Sequence, residues 1–354
     1  MTIFVILLLI VFYVAQRRSK DRALDGLEFD SQCSKGLLEP GEVFELILKV
    51  TNRSYRFMPF IKIEQMLPNN VICHTEGVVI ENVLGNLRHI SSLYMMPKSR
   101  ITRRLRVSIN DRGRYVFSGI KAHGGDFLGI NETKRFIPFH NEVVVYPRLL
   151  NTPDVMAVLG GFIGDISVRR FIIEDPVLTV GVREYTGKEP MKSISWNHSA
   201  RMGSLMVKQF DYTIDPAVSL IVDVENGGEE GSRELIERVY SLTRTVCQTL
   251  EGKGMKYDIL TNAVLSDGFA RWSYLNEGIG MRHYSTVLEG LGRGTYSYVE
   301  KLSAILDTMA KSKEQSRAVI LISIKNDPYR EENIRCMEMK TGGRVYCMFA
   351  DSNV

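Results

Sequence analysis

The first part of the chain alternates between apolar and polar positions with a period of two. The clearest run, Glu42–Val50, begins after the turn residues Pro40 and Gly41, and similar short runs recur as far as Arg148. Clusters of Asn, Asp, Gly and Pro separate these runs, as they separate strands. A series of short strands at this spacing predicts an antiparallel β-sandwich, immunoglobulin-like in kind, over residues 27–150.

The pattern changes after Asp215. Ala217–Val224 is an almost continuous apolar run, which is typical of a strand buried on both faces. The next segment carries apolar residues at helical spacing: Leu235, Val239, Leu242, Val246 and Leu250. Ala318–Ile324 is a further apolar run. Strands that alternate with helices predict a doubly wound, mostly parallel sheet over residues 216–354, and residues 151–215 are then a connecting segment.

The chain opens with an uncharged apolar run that predicts a membrane anchor. Thr2–Ala15 carries no charge, and basic residues follow it closely: Arg17, Arg18, Lys20 and Arg22. Charge after the run, rather than before it, is unlike a cleaved signal peptide. We therefore expect a transmembrane helix over residues 1–16 and a basic juxtamembrane linker over 17–26. Basic residues on this side favour a single-pass protein of the cell membrane with cytoplasmic domains.

Composition narrows the classes of function. The net charge is only +4 over 354 residues and the charges are spread out, which gives no basic stripe for nucleic acid. The five cysteines are odd in number and show no Cys-x-x-Cys spacing, which favours a reducing compartment. The chain is therefore predicted to be an α+β multidomain protein, with a transmembrane helix, an antiparallel β-sandwich and a C-terminal α/β domain.

A cluster of basic and aromatic residues lies between Gly181 and Phe210, within the connecting segment. Turn residues around Gly187 interrupt it, and Leu205–Phe210 has the pattern of a strand. Its candidate site residues are Arg183, Tyr185, Trp196, Ala200, Arg201 and Lys208. We expect a chiefly structural segment, with the Trp196 indole buried and the two arginines paired with buried acceptors. The alternative is an exposed surface that binds a partner.

These residues also carry a family resemblance. Together with Arg112–Tyr115, Asp126–Gly129 and Val145–Pro147, they are similar to the signature of the bacterial domain of unknown function 58 family. Lys188-Glu189 departs from the Gly-Asp pair of the family pattern. The resemblance covers most of the chain and implies an immunoglobulin-like sandwich. Proteins of that family are commonly encoded beside MoxR-type ATPases of the AAA class, which implies such an ATPase as the partner.

The end of the first parallel strand holds the best candidate for a cation site, because open α/β sheets bind ligands at the carboxyl ends of their strands. This region resembles the von Willebrand factor type A fold, in which an Asp-x-Ser-x-Ser motif holds a divalent cation. Asp223 is retained here, but Glu225 and Gly227 occupy the two serine positions. Glycine offers no side-chain oxygen, and a glutamate is too long for an undistorted Mg²⁺ site. We therefore expect a degenerate site, with no bound metal and no cofactor.

The sequence contains no familiar catalytic motif: no P-loop, no His-Glu-x-x-His and no dinucleotide fingerprint. His198 lies beside Ser199, but no acid is identifiable that would orient the histidine as a base. The leading prediction is a non-enzymatic, membrane-anchored interaction protein. By the resemblance, it would act with a MoxR-type ATPase in the assembly or maturation of other proteins. The alternative is a metal-dependent adhesion or ligand-binding protein with extracytoplasmic domains, which would use the Asp223 loop.

Overall fold

The computed structural model describes residues 24–83, 86–125, 132–170, 179–210, 217–225, 232–266, 274–311, 318–341 and 345–351. The predicted anchor (1–16), most of the basic linker and the Asp126–Gly129 motif lie outside the described residues. No helix within those ranges is long and apolar enough to cross a membrane. The chain divides into two compact units, one of residues 1–148 with 291–293 and one of the other residues from 149 onward.

Two β-sheets lie in the first unit. The four-stranded sheet has the order β1 (Leu27–Cys33), β3 (Phe44–Asn52), β8 (Arg100–Ile109), β5 (Val71–Cys73). The six-stranded sheet has the order β2 (Leu37–Leu38), β10 (Glu132–Val145), β9 (Gly113–Gly125), β4 (Met58–Leu67), β7 (Asn86–Met95), β6 (Val79–Val83). Neighbouring strands are antiparallel except for β2 with β10. The prediction of antiparallel sheets in this region is confirmed.

Period-two alternation places one face of each sheet in the core. The buried side chains of β3 are at every second position: Phe44, Leu46, Leu48 and Val50. They pack with apolar side chains of the six-stranded sheet, which include Ile61, Ile63, Phe117 and Val143. Since burying one such side chain is worth roughly 1.5–3 kcal/mol, this alternation fixes which face of each strand points inward.

The connecting segment is more structured than the sequence suggested. A helix that was not predicted, α1 (Pro153–Arg170), precedes a two-stranded antiparallel sheet of β11 (Thr179–Glu184) and β12 (Met206–Phe210). A single 3₁₀ turn, Met191–Ser193, and the short helix α2 (Trp196–Met202) lie between these two strands in the chain. Only the strand at the end of this segment was predicted from its sequence pattern.

The second unit is built on a five-stranded sheet. Its order is β16 (Tyr274–Gly278), β14 (Lys256–Thr261), β13 (Ala217–Val222), β18 (Ala318–Ser323), β19 (Val345–Phe349). All pairs are parallel except β14 with β16, an antiparallel edge that the sequence did not predict. The helices are α3 (Ser232–Gly252), α4 (Met281–Arg293), α5 (Leu302–Lys311) and α6 (Pro328–Thr341). A small antiparallel pair joins β15 (Ala263–Leu265) to β17 (Gly294–Tyr298).

Helices cover the five-stranded sheet because its central strands are apolar on both faces. Five consecutive residues of β13, Val218–Val222, are buried. α5 and α6 pack together and share one cluster with Ile221 and Leu321. α3 contacts the three central strands, and its predicted stripe is buried from Val239 onward. The carboxyl ends of β13, β14 and β18 therefore open at one edge of the sheet.

Candidate functional site

Asp223 follows directly after β13, at the carboxyl edge of the parallel sheet. Its backbone N–H donates to the carbonyl oxygen of Ile322 on β18 at 2.9 Å, which holds the residue in line with the strand ends. The side chain is fully buried, with 0% of its surface exposed. A carboxylate so deeply buried requires donors or a cation around it.

Protein donors surround both carboxylate oxygens of Asp223. Oδ1 accepts from Nδ2 of Asn262 at 2.7 Å and from the backbone N–H of Glu225 at 3.0 Å. Oδ2 accepts from Oγ of Ser323 at 2.6 Å and from Nε of Arg330 at 3.0 Å. The only full positive charge among these donors is the guanidinium, so Arg330 neutralises Asp223.

Arg330 lies near the start of α6 and its side chain is only 4% exposed. Its Nη1 donates to Oδ2 of Asp327 at 2.6 Å, and its Nη2 donates to the carbonyl oxygen of Glu225. Burial lowers the pKa of Arg330, but the charges of Asp223 and Asp327 and their hydrogen bonds raise it by more, so the pKa lies above its ordinary value. The guanidinium therefore stays charged and links the loop after β13 to α6.

Glu225 has a structural role in this arrangement. Its Oε2 accepts from the backbone N–H of Leu302 at 2.9 Å, at the first residue of α5. A carboxylate at this position satisfies a free helix N–H and interacts favourably with the helix dipole. Gly227 lies outside the described residues. Across the ranges that the structure describes, no group of three or more His, Cys, Asp or Glu side chains is placed to hold a metal ion.

Sequence reasoning identified Asp223 and missed the three side chains that bind it. Asn262 follows β14, Ser323 ends β18, and Arg330 opens the next helix, so each comes from a different part of the chain. One signal was available: an aspartate at a strand end that lacks its serine partners needs another donor. The basic residues that follow the third buried strand, Lys325 and Arg330, would then have been the candidates.

The family-signature segment, residues 181–208, forms a small separate structure in the second unit. Arg183 pairs with Val207 and Val182 with Lys208 in the register of β11 and β12. Tyr185 extends the pairing, since its N–H donates to the carbonyl oxygen of Leu205 at 2.8 Å. The pairing brings the two ends of the segment together and leaves the 3₁₀ turn and α2 as an excursion between them.

Few side chains hold this excursion in place. Ile194, Met206 and Val207 are 5%, 7% and 2% exposed and are its buried apolar contacts. The hydroxyl of Ser199 donates to the carbonyl oxygen of Ser195 at 2.9 Å and accepts from the N–H of Met206 at 2.8 Å. Those bonds tie α2 to β12 and occupy Ser199 with the backbone. The helix then ends at Gly203, whose φ of 70° and ψ of 7° are in the left-handed region that glycine accepts most readily.

The prediction of a buried Trp196 is wrong. The indole is 62% exposed, and Trp196 begins α2, a helix of seven residues in which no residue is buried. Met191 and Met202 are 71% and 67% exposed, and Leu205 is 45% exposed. These four side chains together are called the signature face below. A group of exposed large apolar side chains on one short segment is unusual for a surface that contacts only water.

The expected pairing of the arginines with buried acceptors is also wrong. Arg183 is exposed and forms an ion pair within its own turn, with Nη2 at 2.7 Å from Oε1 of Glu189. Arg201 is exposed and has no hydrogen bond or ion pair to any residue that the structure describes. Ala200 and Lys208 are exposed as well. Most of the signature side chains are therefore on the surface, and Arg183, Tyr185 and Lys208 contribute to the sheet through their backbones.

The turn that departs from the family pattern is well ordered by hydrogen bonds. Glu189 accepts from Oγ1 of Thr186 at 2.8 Å and from the backbone N–H of Thr186 at 3.2 Å. The hydrogen bond from the Thr186 hydroxyl is the main reason that the pKa of Glu189 is lowered, to about 2. Desolvation acts in the opposite direction, whereas Arg183 and backbone N–H groups lower the pKa further. Glu189 is thus the acceptor that organises this turn in the present chain.

The hypothesis of a nucleophile at His198 and Ser199 receives no support from the geometry. His198 Nδ1 lies 2.9 Å from Oγ of Ser195, three residues earlier, and not against Ser199. Ser195 is buried, with 6% of its surface exposed, and lies just before the first residue of α2. This contact is a local one at the start of a helix.

The part of the chain that contains the signature segment and the Asp223 site matches a protein family. Residues 181–340 match the family described as protein of unknown function DUF58. The matched range begins in β11 and extends into α6, so it contains the signature segment as well as Asp223 and Arg330. No protein of curated function matches the chain.

Several solved structures are similar to about a third of the chain. The CARDB domain of the PF1109 protein from Pyrococcus furiosus is 17% identical, with 34% of this chain and 94% of that domain covered and a TM-score of 0.22. PapD-like domain 7 of human CEP192 is 13% identical, with coverages of 34% and 84% and a TM-score of 0.21. The sixth cohesin of scaffoldin B from Acetivibrio cellulolyticus is 11% identical, with coverages of 33% and 98% and a TM-score of 0.22. Likeness at this level carries no argument about function.

Proposed function

We propose that the chain is a non-enzymatic, membrane-anchored interaction protein that binds its partner through the signature face. The observation that supports the proposal is the exposure of Trp196, Met191 and Met202 on one short segment. Tryptophan, methionine and arginine are enriched at protein–protein interfaces, and tryptophan is enriched among the residues that contribute most binding energy.

Charge around the signature face indicates the kind of partner. Lys192, Arg201 and Lys208 are exposed, whereas Glu189 is already occupied by the Thr186 hydroxyl and by Arg183. A partner surface that combines an apolar pocket with acidic residues would complement this arrangement. We infer a MoxR-type ATPase of the AAA class as that partner, on the resemblance of the signature to its family. The chain would then act with the ATPase in the assembly or maturation of other proteins.

The remaining parts of the proposal concern architecture. We infer that the first unit is an immunoglobulin-like sandwich and that the second is a von Willebrand factor type A-like domain without a cation. The parallel order of β14, β13, β18 and β19 and the position of Asp223 after β13 support the second inference. Residues 1–16 would anchor the chain in the cell membrane, and the basic residues of 17–26 favour cytoplasmic domains.

The adhesion alternative has no supporting observation in this geometry. A metal-dependent adhesion protein needs carboxylate and hydroxyl oxygens that are free to bind a cation. Both oxygens of Asp223 accept from protein donors, and the guanidinium of Arg330 supplies the compensating charge. We therefore propose a single function, that of an interaction protein.

The proposal is tested by partner recovery from detergent-solubilised membranes with the full chain as bait. A matched pair of variants separates the signature face from exposed apolar surface in general. Met202→Ala removes a methionine that is 67% exposed on α2, and Met339→Ala removes one that is 80% exposed on α6. We expect wild type and Met339→Ala to recover an AAA ATPase and Met202→Ala to recover much less of it. Recovery of no ATPase by wild type, or equal recovery by both variants, would contradict the proposal.

A further inference from the structure

One face of the six-stranded sheet in the first unit carries an unusual number of charged side chains. In β4, Ile63 points into the core, so its neighbours Lys62 and Glu64 alternate to the opposite, outer face. In β9 the same alternation buries Ala122 in the core and places His123 on the outer face. The charged residues of adjacent strands therefore share one surface, on the side away from the sandwich core.

The strand register brings these residues side by side. Lys62 pairs with His123, which pairs on its other side with Lys134 of β10. In the next row, Glu64 pairs with Lys121, which pairs with Phe136. A cavity of about 400 Å³ lies over these rows, and its lining is Glu64, Arg88, Lys121, His123, Lys134, Arg135 and Phe136. We call it the sheet-face cleft.

Glu64 lies at the centre of the positive charges. Its Oε1 is 3.2 Å from Nζ of Lys62 and 3.3 Å from Nε2 of His123, and its Oε2 is 3.8 Å from Nη1 of Arg88. Burial raises the pKa of Glu64, but the Lys62 hydrogen bond and the charges of His123, Lys62 and Arg88 lower it by more, to below its ordinary value. The carboxylate is therefore ionised and neutralises only one of the cations around it.

The cleft contains donors that the described residues do not satisfy. Lys121 and Lys134 have no acidic partner within 4 Å among the residues that the structure describes. Nε of Arg88 is buried and has no hydrogen-bond acceptor among the described residues. Buried donors without acceptors are uncommon in folded proteins, and an acceptor from a ligand would explain this one.

The charge balance indicates the ligand. Arg135 is balanced by Asp25, with Nη2 3.5 Å from Oδ1, so it adds no net charge. The cations on this face are Lys62, Arg88, Lys121 and Lys134, and the carboxylates are Glu64, Glu132 and Glu81, which is paired with Arg88 across β6 and β7. Leaving His123 aside, the excess of four cations over three carboxylates is one positive charge. The face therefore attracts an anion.

We propose that the sheet-face cleft binds a phosphate monoester. A phosphate monoester is an anion with three strong acceptor oxygens, which suit the positive excess, the two lysines and the buried Nε of Arg88. Phe136, which is 50% exposed, forms an apolar wall beside the donors. The volume of the cleft is suited to a small ligand or a single headgroup. The site is independent of the signature face, since it lies in the first unit.

Binding is measured by calorimetric titration of the full chain in a neutral detergent, with phenyl phosphate and inorganic phosphate as probes. We expect phenyl phosphate to bind, and Lys121→Ala and Lys134→Ala each to weaken it about tenfold, the loss of one charge-assisted hydrogen bond. Glu64→Gln removes the central negative charge and is expected to tighten binding. The matched control is Lys49→Ala on β3 of the other sheet, where Lys49 is already paired with Asp30 at 3.5 Å. It should leave the affinity unchanged.

A second arm distinguishes the two sources of the phosphate. Mixed micelles that contain phosphatidic acid should compete with phenyl phosphate if a lipid headgroup fits the cleft, and should not compete if only soluble monoesters fit. Either result agrees with the proposal. The proposal is overturned if phenyl phosphate does not bind, if Lys121→Ala and Lys134→Ala bind it like wild type with unchanged melting temperatures, or if Glu64→Gln does not tighten binding.

Discussion

The guanidinium of Arg330 lies 3.0 Å from the carboxylate of Asp223, and the two side chains are 4% and 0% exposed. The two residues join the end of the first parallel strand to the helix that follows the third. The charge of Asp223 is thereby balanced from within the chain.

Replacing Arg330 by Ala is therefore expected to destabilise the protein strongly. The variant leaves a buried, unpaired carboxylate, and such losses cost about 3–5 kcal/mol. Chemical denaturation of the full chain measures the free energy of unfolding. The control is Arg335→Ala on the same helix, whose side chain is 76% exposed and pairs with Glu331 at 3.7 Å. We expect it to cost less than about 1 kcal/mol.

A second substitution shows whether the cost arises from Asp223 itself. Asp223→Asn, added to Arg330→Ala, removes the unpaired charge and should recover part of the lost stability, because contacting residues are energetically coupled. If Arg330→Ala cost no more than Arg335→Ala, or if the double variant were no more stable than the single one, the buried pair would not have the role assigned to it.

Magnesium binding gives a separate test of the same site. In wild type the oxygens of Asp223 are occupied, so calorimetric titration with Mg²⁺ should give no stoichiometric binding. Loss of Arg330 removes the guanidinium from Oδ2 of Asp223, Oγ of Ser323 and Oδ2 of Asp327, which are oxygens of the hard kind that Mg²⁺ prefers. We expect Mg²⁺ to raise the melting temperature of Arg330→Ala and not that of wild type. Tight binding of Mg²⁺ by wild type would contradict this account.

The pKa of Glu189 predicts a pH dependence in the signature segment. Its folded pKa of about 2 is below its usual value of 4.5, so its carboxylate stabilises the turn above pH 4.5, and the contribution is lost as the pH falls through about 2. Thr186→Val removes the hydroxyl donor and keeps the backbone N–H. We expect this variant to raise the pKa of Glu189 towards 4.5 in an NMR titration of the carboxyl carbon. An unchanged pKa would mean that Thr186 is not its main cause.

The stability of Trp196→Ala measures how the signature segment is held together. An indole that is 62% exposed contributes little to folding, so the free energy of unfolding should change by less than about 0.5 kcal/mol. Ile194→Ala, in the same segment, removes a side chain that is 5% exposed and should cost about 2–5 kcal/mol. The reverse order of the two effects would restore the view that Trp196 is a buried anchor.

The sequence predicted those parts of the fold in which burial repeats along the chain. The stripe that includes Val239, Val246 and Leu250 predicted the buried face of α3 because each turn of a helix repeats the same contact. The almost continuous apolar run at Ala217–Val224 predicted a central strand for the same reason. The seven residues of α2 span about two turns, which is too short for such a repeat. The prediction that Trp196 is buried therefore rested on the size of its side chain alone.

The candidate site was predicted less well because its contacts are distant in the chain. Arg330 is 107 residues from Asp223 and 7 from Ser323, and only the parallel arrangement of β13 and β18 brings the three together. The sheet-face cleft has the same character, since its charged residues come from β4, β7, β9 and β10. Period-two alternation predicts which side chains point outward, but the strand order decides which of them become neighbours.

Hydrogen–deuterium exchange of the full chain, with and without the recovered ATPase, tests the central claim most directly. If the signature face is the partner site, peptides that cover the 3₁₀ turn, α2 and Leu205 should exchange more slowly in the complex. Peptides from the buried strand β13 should be unchanged and serve as the internal reference. Protection that is confined to other parts of the chain, with residues 191–205 exchanging as in the free protein, would contradict the account.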